Sequence, residues 1–163
     1  MRLLLIAVLA AACSRPSADT PAEYLPADQS FSATLPGGWK VDDGPAETRK
    51  AAFFGPPTGT GAFTAVIRVS LYPATTPQDY RATRSGLPTP LVEMTVGGAK
   101  AWEFLVEGEA RDPHAGVTKL ASRVVSVQTA HGLFVLEHTW HADLPAGGQA
   151  FEELLRTFKP KAS

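Results

Sequence analysis

Cysteine, excess charge and long apolar runs are all scarce in this chain of 163 residues. Cys13 is the only cysteine, so no disulfide can form within the chain and the core must stabilise the fold. The 15 basic and 16 acidic side chains nearly cancel, which excludes a strongly basic surface for nucleic acid or anionic lipid. The most apolar run, residues 3–12, is about half as long as a membrane-spanning helix.

Sequence motifs for catalysis and nucleotide binding are also missing. None of the serines lies in the G-x-S-x-G context of a hydrolase nucleophile. The glycines of residues 55–61, 97–98 and 147–148 do not match phosphate-binding or dinucleotide-binding patterns, and turns explain them. The sequence therefore predicts no enzymatic activity and no cofactor.

The apolar run has the layout of a bacterial lipoprotein signal. Residues 3–12 follow Arg2, end in Ala10-Ala11-Ala12 and directly precede Cys13. This length suits the apolar region of a cleaved signal peptide, and the small alanines let a peptidase accept the backbone in extended form. The segment resembles the lipobox, although Ala10 stands where that motif prefers leucine.

The lipobox resemblance implies cleavage between Ala12 and Cys13, with Cys13 as the acylated first residue of the mature chain. Because two or three acyl chains hold a protein on a membrane, we expect residues 1–12 to be a signal peptide and Cys13 to be a palmitate-bearing anchor in the cell envelope. Ser14 is not the aspartate that tends to retain lipoproteins in the inner membrane, which favours the outer membrane, facing the periplasm. The alternative is an ordinary secretory signal cut near Ala12.

The composition changes again after the anchor. Residues 13–27 are rich in Ser, Pro, Ala, Asp and Thr, which predicts a flexible tether because such a segment buries too little surface to become ordered. Residues 28–163 have the length and apolar content of one globular domain.

Alternating apolar and polar residues predict an antiparallel sheet within this domain. Turns rich in glycine and proline separate most of the predicted strands, and short connections favour antiparallel pairing. The predicted strands cover residues 31–35, 51–54, 63–72, 91–96 or 100–106 around the Gly97-Gly98 turn, 118–129 and 132–141.

Two helices are predicted beside the sheet. Thr76 as N-cap, Pro77 in the first turn and Asp79 after it begin a short helix that ends by Gly86. A closing helix is indicated by apolar residues at i, i+3, i+4 and i+7, and Pro160 prevents its continuation. These apolar residues are Phe151, Leu154, Leu155 and Phe158.

The pattern Phe31-x-x-x-Leu35-Pro36-x-x-Trp39, the extended middle region and the closing helix together resemble the PsbP-like domains. The resemblance covers Tyr24–Lys159. It implies an α+β fold of one domain, an antiparallel sheet between helices in an α/β/α sandwich. Members of this fold generally bind a larger assembly, as PsbP does as an extrinsic protein of photosystem II. The metal-binding histidines of photosynthetic members have no matching positions here, and nothing links this chain to photosynthesis.

The densest group of chemically active side chains lies in residues 137–143. On a strand, Glu137, His141 and Asp143 share one face, while His138 lies on the opposite, apolar face and is predicted to be hydrogen-bonded at the edge of the core. Because His138 and His141 point in opposite directions, we predict no metal site. A polar strand end is the expected interpretation of the three residues.

Two functions remain open at this point. The favoured one is a lipid-anchored, noncatalytic domain that binds another envelope protein or assembly, of unknown identity, through a sheet edge, loops or an exposed face. The alternative is a small-ligand carrier or an envelope enzyme that uses Glu137, His141 and Asp143 beside a pocket. Ligand binding by a platform of tryptophans is not favoured, because aromatic residues on strands more often fill the core. These are Trp39, Trp102 and Trp140.

Overall fold

The computed structural model describes residues 20–42, 48–57, 63–112 and 116–161, which fold as a mixed α+β domain. In chain order the elements are β1 (Ala22–Tyr24), β2 (Phe31–Leu35), β3 (Lys40–Asp42), β4 (Arg49–Pro57), β5 (Phe63–Tyr72), α1 (Pro77–Ala82), β6 (Val92–Val96), β7 (Ala99–Asp112), β8 (Gly116–Thr129), β9 (Gly132–His141), α2 (Gly148–Thr157) and β10 (Lys159–Pro160).

The strands form two antiparallel sheets. A seven-stranded sheet has the order β3-β4-β5-β9-β8-β7-β6, and a three-stranded sheet has the order β1-β2-β10. Two-residue turns join β6 to β7 and β8 to β9, as the short connections in the sequence predict. The predicted α+β class, with one domain and antiparallel pairing, is confirmed.

Both faces of the large sheet are covered, but by different elements. The small sheet and α2 pack on one face, where the main core lies; its largest fully buried side chains are Phe31, Phe53, Phe134, Phe151 and Phe158. The helix α1 packs on the other face through Tyr80, over a smaller cluster that includes Phe104, Val124, Leu133 and Val135. Apolar burial on both faces stabilises the central strand β9, in which every residue from Gly132 to His138 is buried.

Several predicted boundaries match the structure. The predicted strands at residues 31–35, 63–72 and 132–141 have the same bounds as β2, β5 and β9. Both members of the pair that the sequence left as alternatives, residues 91–96 and 100–106, form strands. They pair as β6 and β7 around Gly97-Gly98, whose positive φ angles of 58° and 79° fit a two-residue hairpin turn.

The helix predictions hold in their main features. Thr76 caps α1 by accepting a hydrogen bond of 3.1 Å from the Asp79 N–H, and Pro77 occupies the first turn. In α2 the predicted apolar stripe is buried. The helix ends at Thr157, however, and Phe158 is already extended because the next two residues pair with β2 as β10. Proline is tolerated in β10 because this strand lies at a sheet edge.

The predicted tether is wrong in its extent. Ala22–Tyr24 forms β1, and Tyr24 is buried with its ring 5.1 Å from that of Phe53 in an edge-on contact. Burial of this aromatic side chain and pairing with β2 both stabilise the short segment. Residues 1–19, which include the predicted signal peptide, Ala12, Cys13 and the first part of the tether, lie outside the described residues.

Candidate functional site

A cleft of about 570 Å³ opens between the end of β9 and the start of α2. Its lining includes Trp39, Arg123, His138, Trp140 and Gly147. We call it the aromatic cleft. It lies on the face of the large sheet that carries the main core, so the same packing that forms the core also positions its walls.

His138 forms the floor of the aromatic cleft. Its Nε2 atom donates a hydrogen bond of 2.8 Å to the carbonyl oxygen of Ala146, and its ring stacks between those of Trp140 and Phe151 at 4.6 and 5.3 Å. Burial lowers the pKa of His138, and the nearby positive charge of Arg123 lowers the same pKa further. The imidazole is therefore neutral at pH 7, and the prediction of a hydrogen-bonded histidine at the edge of the core is confirmed.

Trp39 closes one side of the cleft as a buried core residue. Two glycines allow this packing, because a Cβ at Gly55 or Gly147 would lie 2.6 and 2.9 Å, respectively, from the indole ring. Gly147 also has a φ of 78°, which other residues rarely adopt. The tryptophans do not form a common platform, because Trp102 lies on the opposite face of the sheet beside Phe104.

Arg123 spans three elements at the rim of the aromatic cleft. Its Nε donates to Glu103 Oε1 on β7 at 2.8 Å, and its Nη1 pairs with Glu152 on α2. The guanidinium also lies over the ring of Phe151, 5.4 Å from the centroid. The charge of Arg123 is thus neutralised by two carboxylates, and the side chain fastens α2 to the sheet.

A second, polar cleft of about 430 Å³ lies on the opposite face of the sheet. Its lining includes Arg68, Arg84, Ser122, Glu137 and Thr139. The buried carboxylate of Glu137 pairs with Arg84 Nη2 at 2.5 Å, and the hydroxyls of Ser122 and Thr139 are 2.8 Å apart. The charge of Arg84 is therefore balanced by Glu137, whereas Arg68 is exposed.

The predicted group of Glu137, His141 and Asp143 does not form one site. Only Glu137 lines the polar cleft, whereas His141 and Asp143 are exposed and do not contribute to its lining. The reason is that β9 ends at His141, so the alternation of a strand no longer sets the direction of Asp143. In the described ranges no three His, Cys, Asp or Glu side chains are grouped so that they could hold a metal ion.

The sequence does not predict the roles of Arg84 and Arg123, which form the ion pairs in these two clefts. Arg84 and its partner Glu137 are 53 residues apart, and Arg123 joins residues 20 and 29 positions away. No local spacing signals such pairs. Ala12 and Cys13, the predicted cleavage and acylation positions, lie outside the described residues, and no helix within the described part of the chain is long and apolar enough to span a bilayer.

Comparison with known proteins finds similarity in structure and none in sequence. No protein-family profile and no curated protein sequence matches the chain. A crystal structure from Bacteroides thetaiotaomicron is similar with a TM-score of 0.59 at 14% identity, over 86% of this chain. The match covers 48% of the Bacteroides protein, so this chain spans about half of that protein's length.

Two further similar structures are those of LpqN and of a cyanobacterial PsbP protein. LpqN of Mycobacterium tuberculosis, described as involved in cell envelope biogenesis, has a TM-score of 0.52 at 15% identity, over 90% of this chain and 87% of LpqN. The PsbP protein of the cyanobacterium Synechocystis, CyanoP, has a TM-score of 0.53 at 13% identity, over 92% of this chain and 96% of CyanoP. At these identities the likeness shows the fold. The chain therefore has a PsbP-like α+β fold.

Proposed function

We propose that this chain is a bacterial lipoprotein whose PsbP-like domain is noncatalytic and binds another protein of the cell envelope. The observation that carries the proposal is the sequence Ala10-Ala11-Ala12-Cys13 at the end of a ten-residue apolar run. In this account acyl chains on Cys13 hold the domain at the membrane surface. Ser14 directs it to the outer membrane, facing the periplasm.

The state of the polar side chains in the two clefts supports a binding role over a catalytic one. His138, the one histidine in the aromatic cleft, is neutral and already donates its Nε2 proton to a backbone carbonyl. Arg123 and Arg84 are paired with carboxylates of the same chain. General acid–base catalysis needs a titratable group within reach of a substrate proton, and here the Nε2 atom of His138 and both arginines already have partners within the chain.

The structural neighbours support an envelope setting. LpqN, described as involved in cell envelope biogenesis, has the same fold over most of both chains. Resemblance to PsbP supports action through binding to a larger assembly. In this proposal the protein partner, rather than a reaction, defines the role of the domain.

The anchor is tested by substitution at Cys13. Cys13→Ser removes the sulfur to which the lipid is attached, so labelling by radioactive palmitate should be lost and the protein should leave the membrane fraction. Ser14→Ala is the matched control and should keep both properties. Unchanged membrane association of the Cys13→Ser protein would contradict the proposal.

The outer-membrane location has its own test. Ser14→Asp places the residue associated with inner-membrane retention directly after Cys13. When inner and outer membranes are separated by density, the unsubstituted protein should be found in the outer-membrane fraction and Ser14→Asp in the inner-membrane fraction. Recovery of the unsubstituted protein from the inner membrane would contradict this part of the proposal.

A small-ligand carrier is the second candidate, favoured by the aromatic cleft. Its volume of about 570 Å³ lies within the range of small-molecule sites, and Trp140 leaves part of its ring exposed there. Native mass spectrometry of the protein purified from membranes tests this candidate. A bound species that is lost in Trp140→Ala would favour the carrier, whereas the bare protein mass would favour protein binding.

A further inference from the structure

The strand β6 is an open edge of the seven-stranded sheet. It pairs with β7 on one side, and no backbone group of the described residues pairs with its other side. Unpaired backbone donors and acceptors on an edge strand are a template for pairing with another strand. We infer that β6 of a second copy of this chain pairs antiparallel with this edge.

The hairpin turn determines which backbone groups point outward. A two-residue hairpin closes with a hydrogen-bonded pair, here Val96 and Ala99, and bonded and non-bonded pairs alternate from there. The N–H and C=O groups of Glu93 and Thr95 therefore face away from β7. Leu105 of β7 agrees with this alternation, because its N–H and C=O both bond to Thr89 on the β6 side.

Only three registers of two β6 strands bring outward groups opposite each other. A two-fold axis at Glu93 places the two Glu93 carboxylates directly opposite, and like charges there are unfavourable. An axis at Thr95 places Glu93 opposite Gly97, which has already left the strand with a φ of 58°. An axis at Met94 pairs Glu93 with Thr95 of the second copy twice, which gives four hydrogen bonds and no charge conflict. The strand is thus complementary to itself in one register.

The two edge strands of the large sheet differ in how well they are protected against pairing with another strand. The strand β3 has only three residues. Its first and last residues, Lys40 and Asp42, carry charges that discourage pairing. Within β6 there is no lysine or proline, and the one charged residue, Glu93, pairs with Lys100 of the neighbouring strand β7. The apolar side chain of Val92 is 62% exposed.

The proposed register predicts one short distance between the copies. Met94 faces its own counterpart as a non-hydrogen-bonded pair, with Cα atoms about 4.5 Å apart. A disulfide needs Cα atoms about 4.4–6.8 Å apart, so a cysteine at this position can cross-link two copies. Val92 lies two residues from the axis, so its Cα is roughly 14 Å from Val92 of the second copy along the strand direction.

Cysteine cross-linking of the full chain in membranes of its own cells tests the inference. Met94→Cys should give a covalent dimer on mild oxidation, at least tenfold more than Val92→Cys. Val92→Cys is a suitable control because Val92 is more exposed than Met94. Cross-linking by random collision would therefore be stronger for Val92→Cys than for Met94→Cys. The unsubstituted chain, which retains Cys13, gives the background. Equal cross-linking at both positions, or none at Met94→Cys, would overturn the inference.

A backbone substitution provides a second readout. Thr95→Pro removes an outward N–H but no hydrogen bond to β7, so it should abolish cross-linking of Met94→Cys while thermal unfolding changes little. Thr95→Val keeps the N–H and should preserve the cross-link. Persistent cross-linking in the Thr95→Pro protein would overturn the proposed pairing.

The outcomes also separate this inference from the proposed anchor. Cross-linking of Met94→Cys to a protein of different mass would show that an extended segment of another protein occupies the edge, which overturns pairing with a second copy. Fractionation of the same samples reports membrane association separately. A self-cross-linked protein absent from membranes would contradict the anchor and leave the pairing intact.

Discussion

The Nε2 atom of His138 donates a hydrogen bond of 2.8 Å to the carbonyl oxygen of Ala146, which ties the central strand β9 to the segment that leads into α2. The imidazole is also enclosed by the rings of Trp140 and Phe151. Burial lowers the pKa of His138 by more than the hydrogen bond to Ala146 raises it, so the neutral imidazole is favoured. A group buried in its neutral form links the stability of the fold to pH.

The first prediction concerns that pH dependence. Above pH 6.5, His138 is neutral in both states; as the pH falls below about 6.5, the unfolded chain binds a proton that the folded protein does not. The free energy of unfolding should therefore decrease by up to about 1.4 kcal/mol per pH unit until the folded-state pKa is reached. Urea titrations of the unsubstituted protein and His138→Gln should show a smaller decrease for the variant. Parallel pH profiles would contradict this role.

The second prediction compares two adjacent glycines. Gly147→Ala places a Cβ 2.9 Å from both Trp39 and His138 at a φ of 78°, so we expect a loss of about 1–3 kcal/mol of stability. A Cβ at Gly148 meets no atom within 4 Å and would lie in the first turn of α2. Gly148→Ala should therefore be neutral or stabilising by up to about 1 kcal/mol. Equal unfolding midpoints for the two variants would contradict the packing described for Trp39.

The third prediction concerns the ion pair between Arg84 and Glu137. Glu137→Ala leaves the half-buried guanidinium without its carboxylate, and we expect a loss of about 2 kcal/mol of stability. The exposed pair of Glu93 and Lys100 is the matched control, and Glu93→Ala should cost less than about 0.5 kcal/mol. A double-mutant cycle with Arg84→Ala measures the coupling directly. A coupling energy near zero would show that the pair does not contribute to stability.

The fourth prediction tests the buried stripe of α2. Leu155→Asp places a charge in the main core and should lower the thermal midpoint by roughly 10 °C or more. Leu87→Asp makes the same substitution at a side chain that is 89% exposed, and its midpoint should change little. Similar midpoints for the two variants would mean that the stripe does not face the core.

The long elements of this fold could be predicted from the sequence because each carries a local pattern. In β5, buried Ala65, Ile67 and Val69 alternate with less buried residues in the middle of the strand. In α2, the spacing of Phe151, Leu154 and Leu155 signals one buried face. Because these faces are buried in the core, each element adopts the orientation and register that its pattern predicts.

The short strands could not be predicted in this way. The strands β1, β3 and β10 have three, three and two residues, too few for a periodic pattern, and form because they pair with β2 or β4. The charged pairs depend on the same long-range packing. Glu137 is noticeable in the sequence, but its partner Arg84 becomes its neighbour only when α1 and the residues after it fold against β9.

The proposed function of this protein depends most directly on the chemistry at Cys13. Mass spectrometry of the amino-terminal peptide, isolated from the protein in membranes of its own cells, tests it in one measurement. The expected peptide begins at Cys13 and carries the mass of a diacylglyceryl group on its sulfur. An amino-terminal peptide without acyl chains, or one that still includes residues 1–12, would contradict it.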